Sequence, residues 1–379
     1  MKKLIALLLA LVMVMGMVAC GTKEAAETEA AIPTADAKAS EAAAVTEGVD
    51  AVEGEEIIVK ADEVSDDERA AALGIPGAVV LQDTDVLEGK RIGCSIVYKG
   101  DEWCAALSDA LEALADYYGV DNMTCEDGEL NDEKQVQQIE NMVANKVDIM
   151  IIDPTTPDGT GEALNKAYDA GIPIIIYDGY WSEGAEKAAT TITWDQVATG
   201  TMIGEYFVEY IKANSDGKAR VIELTNAVST HCQERFVGLH AVFEEANANG
   251  CEIEILDKYD SQGNREMAYN AIAAVVQPYD YVISDVDNGA MGARAYLESV
   301  GNTDVKVFTM GGWGPEPFGL LHAEDPNYIA CLNVDPWVLA QFCFDAAIAV
   351  AKGEELPVQT NIALFVVDSA NVDQFWNFD

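Results

Sequence analysis

From Arg91 onward, short apolar runs alternate with stretches whose apolar positions recur at helical spacing. The runs RIGCSIVY (91–98), MTCED (123–127), VDIMIID (147–153) and IPIIIYD (172–178) predict strands, and Trp103–Tyr118, Asp132–Ala144 and Gly159–Ala170 predict the helices between them. The pattern then restarts. ARVIELTN (219–226), CEIEILDKY (251–259), YVISDVD (281–287) and VKVFTMGG (305–312) read as strands, with helices over Cys232–Asn247, Arg265–Val276 and Gly289–Ser299. Runs that are apolar throughout, separated by amphipathic helices, imply parallel strands covered on both faces. Two such βαβ series, each of about a hundred residues, imply an α/β fold of two doubly wound lobes rather than one very wide sheet.

The first ninety residues follow a different pattern. Lys2 and Lys3 precede an apolar run from Leu4 to Val14, and MVAC (17–20) closes it with a small residue before Cys20. That order matches a secretory signal peptide and is short for a spanning helix. MVAC followed by Gly21 resembles a bacterial lipobox, with Met17 where Leu is usual. The resemblance implies residues 1–20 as a lipoprotein signal and Cys20 as the lipidated N-terminus, anchoring the chain to the outer face of the cell membrane. Residues 21–88 are rich in Ala, Glu, Asp and Thr with almost no aromatics, which predicts a disordered acidic tether.

Charge and cysteines narrow the chemistry. The formal net charge of −44 excludes nucleic acid as a partner and leaves the lipid as the only membrane attachment. Beyond Cys20 there are seven cysteines, Cys94, Cys104, Cys125, Cys232, Cys251, Cys331 and Cys343, with no C-x-x-C spacing. This argues against a zinc knuckle or redox motif, and most of them fall in apolar patterns as small buried hydrophobes, with one disulfide feasible outside the cytoplasm. G-x-S-x-G, G-x-G-x-x-G and the phosphate-binding loop motif are absent, and His231, His240 and His322 have no metal spacing. The sequence therefore points to neither an enzyme nor a cofactor.

In open parallel sheets, ligands bind outside the carboxyl ends of the strands. The residues at those ends are polar and aromatic: Lys99–Trp103, Asp153–Thr156, Asp178–Trp181, Thr225–Asn226, Tyr259–Asp260, Asp285–Asn288 and Gly311–Trp313. Trp103, Tyr180, Trp181 and Trp313 offer rings to the C–H faces of a sugar, and carboxylates, amides and Arg offer partners for its hydroxyls.

The segments VDIMIIDPTTPDGTGEALNKAYDAGIPIIIYDG, VIELTN followed by QERFVGLHAVFEE, SDVDNGAMGARAYLESVG, and ACLNVDP before a helix, in this order and spacing, resemble the periplasmic sugar-binding proteins of the ribose and galactose type. The resemblance runs from about Lys90 to the C-terminus. It implies two Rossmann-like lobes joined by three crossovers, near Asp195, near Asn333 and after Thr360. The lobes would be 89–195 plus 335–360 and 196–333 plus 361–379. It further implies a monomer that delivers a small polar ligand to an ABC permease. A ligand-sensing subunit for a chemotaxis or kinase partner is the alternative. Position by position, Trp103 would be an aromatic wall, Asp101 a polar contact, Asp178 an acceptor for sugar hydroxyls and Arg235 a forked donor, with Asp287 and Asn333 as further polar contacts. The bland readings are that Asp178 forms a turn, that Arg235 pairs with Glu234 or Glu244, and that Trp103 anchors the core.

Gly179 stands where the family often has Arg, Gly311 where it has Asp, and Val286 where an amide is frequent. These departures predict fewer polar contacts and more aromatic surface than in a ribose site. For the N-terminus, Cys20→Ser removes the acceptor of the lipid, so the variant is expected to leave the membrane pellet and the detergent phase. Full pelleting of Cys20→Ser contradicts the lipoprotein reading.

Overall fold

The computed structural model describes residues 58–60, 79–100, 102–182, 184–227 and 229–376, the first five of these by backbone placement only. Cys20, the signal segment and most of the expected tether lie outside the described residues. In chain order the strands are β1 (Ile58–Lys60), β2 (Val79–Leu81), β3 (Ile92–Ile96), β4 (Cys125–Asp127), β5 (Ile149–Ile152), β6 (Ile174–Tyr177), β7 (Thr190–Thr193), β8 (Lys218–Thr225), β9 (Glu252–Asp260), β10 (Tyr281–Ser284), β11 (Lys306–Thr309), β12 (Tyr328–Leu332), β13 (Gln359–Asn361) and β14 (Val366–Asp368). The helices are α1 (Glu102–Tyr117), α2 (Asp132–Ala144), α3 (Gly161–Asp169), α4 (Gln196–Asn214), α5 (Thr230–Ala248), α6 (Arg265–Ala274), α7 (Asp287–Ser299), α8 (Pro315–His322) and α9 (Pro336–Lys352).

The strands sort into two six-stranded sheets, ordered β13-β7-β6-β5-β3-β4 and β14-β12-β11-β10-β8-β9. Every pairing in them is parallel except β12 with β14. Alternate residues along a strand feed different layers. Ile149 and Ile151 pack with α1 and α9, whereas Met150 and Ile152 pack with α2 and α3. In the second lobe, Val221 and Ile283 meet α4 and α5, and Ile222 and Val282 meet α6, α7 and α8. The result is two lobes, each a parallel-dominated sheet with helices on both faces.

Two consecutive elements with weak sequence signals, β7 and α4, flank the first passage between the sheets. β7 reads TTIT, yet all four residues are buried. α4 packs against α5 so closely that a Cβ on Gly200 would lie 1.6 Å from the Arg235 carbonyl oxygen, and one on Gly238 would lie 1.9 Å from that of Val197. Only glycine permits this approach, because any larger residue would push the two helix backbones apart.

The chain passes between the sheets after β7, after β12 and between β13 and β14, and these three passages are bonded to one another. Ile362 N donates to Thr193 O at 2.8 Å, Asn333 N to Phe365 O at 3.0 Å and Val334 N to Gly312 O at 3.2 Å. Asp195 caps α4 and Asp335 caps α9, each accepting backbone N–H bonds of the first turn.

The first lobe begins earlier than the expected end of the tether at residue 88. Leu81 and Leu87 are fully buried in its core. Gln82 N donates to the Tyr118 hydroxyl at 3.0 Å, and its side-chain amide donates to Asp345 at 2.5 Å. Leu81 ends the short apolar run Ala78–Leu81 and Leu87 follows Val86 after four polar residues, a pattern with no sustained period, so the sequence offered local structure at AAALGIPGAVVLQD but no docked strap. Leu87→Ala is expected to cost about 2 to 5 kcal/mol of stability, and a chain that starts at Glu88 to melt well below one that keeps Val79–Leu87. Equal denaturation midpoints would show that the strap contributes nothing.

Burial raises the Asp335 carboxyl to about 6 from its ordinary 3.8, against the backbone N–H groups of Trp337 and Val338 and the Trp313 side chain. The folded chain thus holds a proton that the unfolded chain has already lost between those values. This contribution is present at low pH and is lost as pH rises through about 6. Asp335→Asn keeps a cap acceptor but cannot titrate, so its stability profile should be flatter between pH 4 and 6. An unchanged slope would place the titration elsewhere.

Candidate functional site

A cleft of about 860 Å³ opens at the carboxyl ends of the strands of both lobes, beside the crossovers. This is the position that parallel topology dictates, because strand interiors are covered and only their ends can present polar groups.

On the first lobe, Trp103 sits in the opening turn of α1, its ring centroid 6.0 Å from that of Trp194 at an interplanar angle of 59°. Its indole N–H donates to the Val334 carbonyl of the second crossover. Both rings line the cleft. Asp178 follows β6 with φ of 53°, in the left-handed region that Asp and Asn tolerate better than most residues. Its N–H donates to Ile192 O at 2.9 Å, and the residue lines the cleft. Behind it lies Asp153, whose carboxyl is pushed well up, first by burial and then by the neighbouring Asp178 charge.

A buried amide network fixes these loops. Gln135 donates to the Ser95 hydroxyl at 3.0 Å and to Asp153 O at 2.7 Å, and its carbonyl accepts from Thr155 N at 2.7 Å. Gly179, where the family often has Arg, has no room for a side chain: a Cβ there would be 2.8 Å from Pro154 Cδ and 2.9 Å from Asp153 Oδ1.

On the second lobe, Arg235 is buried to 8% exposure on α5. Its Nε donates to Gln196 Oε1 at 2.8 Å, and Nη1 to the carbonyls of Asp285 at 2.7 Å and Met310 at 3.3 Å. Three acceptors lock the guanidinium plane beside the cleft that Arg235 lines. Asp285 is fully buried, its carboxylate accepting from Asn226 N, and burial raises its pKa. Asp287 opens α7 and lines the cleft with Val286 and Asn288. At Gly311 a Cβ would meet Arg235 Nη1 at 3.5 Å, an ordinary contact, so the absence of the family's Asp leaves space beside the guanidinium.

The structure thus brings Trp103, Asp178, Arg235 and Asp287 to one cleft. It places the other candidates differently. The Tyr180 ring lies edge-on to His231 across the lobes, with centroids 4.6 Å apart, and does not line the cavity. Trp313 packs edge-on against Trp376 at 5.7 Å and faces the Asp335 cap, away from the cleft wall. Asn333 is 4% exposed, bridges to Gly312 by its backbone, and keeps a buried side-chain oxygen without a partner. Asp101 lies outside the described residues. Nor does Arg235 pair with Glu234 or Glu244; Gln196 and two carbonyls hold it.

Sequence reasoning missed Trp194, His231 and Gln196. Trp194 lies in a crossover rather than at a predicted strand end, and Gln196 on a helix that the pattern did not reveal. His231, at the start of α5, lines the cleft, and burial lowers its pKa against the pull of Asp178. Its one sequence signal was its place four residues before Arg235 on the same helix. Among the described residues, no group of three or more His, Cys, Asp or Glu could hold a metal ion.

Comparison with known proteins agrees with this architecture. Residues 92–355 match the family model described as the periplasmic binding protein domain. The chain is 26% identical over 266 residues to the ribose import binding protein of Escherichia coli K12, covering 69% of this chain and 85% of that one. It is 24% identical over 309 residues to a putative rhizopine-binding protein of Rhizobium meliloti, covering 80% and 97%. A solved ABC transporter solute-binding protein from Bacillus halodurans, with bound myo-inositol, superposes with a TM-score of 0.68 at 21% identity over 76% of this chain and 98% of that one. The binding component of an arabinose ABC transporter from Shewanella gives 0.67 at 22% identity over 75% and 93%. With a cleft at the sheet ends and a match over most of its length, the chain belongs to the periplasmic binding protein family and is a binding protein, not an enzyme.

Proposed function

We propose that the protein captures a hydroxyl-rich solute, a sugar or a cyclic polyol, between its lobes and delivers it to an ABC permease as a monomer tethered by lipid on Cys20. The observation that carries this reading is the pairing of an aromatic wall, Trp103 with Trp194, with charged hydrogen-bonding groups on the facing lobes, Asp178 and Arg235, in one cleft. Rings cover the apolar face of a sugar, a carboxylate accepts from its hydroxyls, and a guanidinium donates to its oxygens. Ribose in the name of one relative and myo-inositol in one solved neighbour support a small cyclic polyhydroxylated solute. Asp101, Tyr180, Asp287, Trp313 and Asn333 remain candidate contacts. Of these, Trp313 and Asn333 would act through the crossovers rather than from the cavity wall.

The three bonded crossovers support closure about a hinge. The test is titration of ribose, arabinose, galactose and myo-inositol, read by tryptophan fluorescence and small-angle scattering. At least one solute is expected to change the emission of Trp103 and Trp194 and to shrink the radius of gyration. Asp178→Asn is the sharper variant, because Asn also tolerates the left-handed backbone while losing the charge. It is expected to keep the ligand-free melting temperature and lose about 1.5 to 3 kcal/mol of binding, roughly ten- to a hundred-fold. Unchanged affinity with a lower melting temperature would make Asp178 a turn former only.

A further inference from the structure

Cys94 lies at the centre of β3 and Cys125 opens β4, and the parallel register sets them directly opposite each other. Both side chains are buried, at 0% and 1% exposure, in the core layer under α1 and α9. Their sulfurs are 3.0 Å apart, with the Cys94 thiol donating to Cys125. Neighbouring strands hold opposed Cα atoms about 4.8 Å apart, inside the roughly 4.4–6.8 Å that a disulfide spans.

We propose that Cys94 and Cys125 are a disulfide site, oxidised as the exported chain folds. Family membership puts the protein outside the cytoplasm, where disulfides persist. The oxidant is a disulfide, either a thiol oxidoreductase of the envelope or oxidised glutathione in vitro. One cysteine thiolate attacks it, forming a mixed disulfide and expelling a thiolate. The second cysteine thiolate then attacks the mixed disulfide and expels the other. In total two thiols lose two protons and two electrons, the Sγ–Sγ bond forms, and the oxidant becomes two thiols.

The Cys94 hydrogen bond, with help from Lys99, lowers the Cys125 thiol against its burial, whereas burial holds Cys94 well up. In the docked strand Cys125 is therefore the more acidic of the two thiols, while before docking either cysteine can attack the oxidant. β4 is three residues long and forms the edge of its sheet, so it can open to an oxidant before it docks. Once closed, the bond ties that edge to β3, whose end leads to Trp103. Two helix side chains hydrogen-bond the β4 backbone: Glu112 accepts from Cys125 N at 2.9 Å and Gln138 donates to Asp127 O at 2.8 Å. A third buried thiol, Cys343 of α9, faces the pair and is the internal competitor.

The test uses the full chain, exported, trapped with an alkylating reagent on lysis and digested without reductant. A second sample is refolded from denaturant in glutathione redox buffer, with the fold confirmed by circular dichroism. The expected result is a crosslinked peptide pair containing Cys94 and Cys125, a mass lower by about 2 Da, and two fewer titratable thiols. Cys343→Ala should retain the link. Cys94→Ala/Cys125→Ala should lose the effect of reductant on the melting temperature. Full alkylation of both cysteines in the folded, glutathione-treated protein would overturn the proposal, as would a link made to Cys343 instead.

Discussion

A strand covered by helices on both faces can present a polar side chain to a ligand only where it ends. In this protein both sheets obey that constraint. Their interiors, such as IMII in β5 and IIIY in β6, are buried throughout, so the polar groups of the site gather in the loops after them. Because the three crossovers run beside those same ends, the crossovers and the cleft share residues. Trp194 and Val334 show the overlap: each belongs to a crossover, and each lines the cleft.

Holding charge in that region has a cost, and the structure meets it with fixed partners rather than with solvent. Arg235 is the clearest case. Bringing its guanidinium into a buried position requires acceptors for most of its N–H groups, which Gln196 and two carbonyls at the ends of β10 and β11 supply. That arrangement depends in turn on the contact of α4 with α5, which exists because Gly200 and Gly238 carry no side chains. Asp178 is placed by its backbone, in a left-handed turn bonded to β7. The negative field that it shares with Asp153 is relieved as Asp153 holds its proton more tightly.

The fold class was legible because it rests on periodicity. Asp132–Ala144 was read from the pattern with the bounds that the structure shows, and the structure adds its Asn131 cap. The parts that stayed hidden have physical reasons. TTIT is polar by composition but buried by position. α4 is apolar on more than one side because it packs on a sheet and a neighbouring helix, so its stripe is blurred. β13 and β14 are three residues each, too short for any period. Leu81 and Leu87 end two short apolar runs in an acidic segment, too brief to set a period. At the site, strand-end position told which residues lie near the cleft and not which way they turn. Trp103 and Trp313 both follow strands, yet one ring faces Trp194 and the other Trp376. Gln196 and His231 needed the tertiary contact to be seen at all.

The central claim is that the space between the lobes is a site for one small hydroxyl-rich solute. Native mass spectrometry of the folded chain incubated with a mixture of pentoses, hexoses and cyclitols tests it most directly. The account predicts a single adduct of one solute per chain, retained at low collision energy and lost on unfolding. No adduct with any hydroxyl-rich solute, from a protein shown by circular dichroism to be folded, would contradict it.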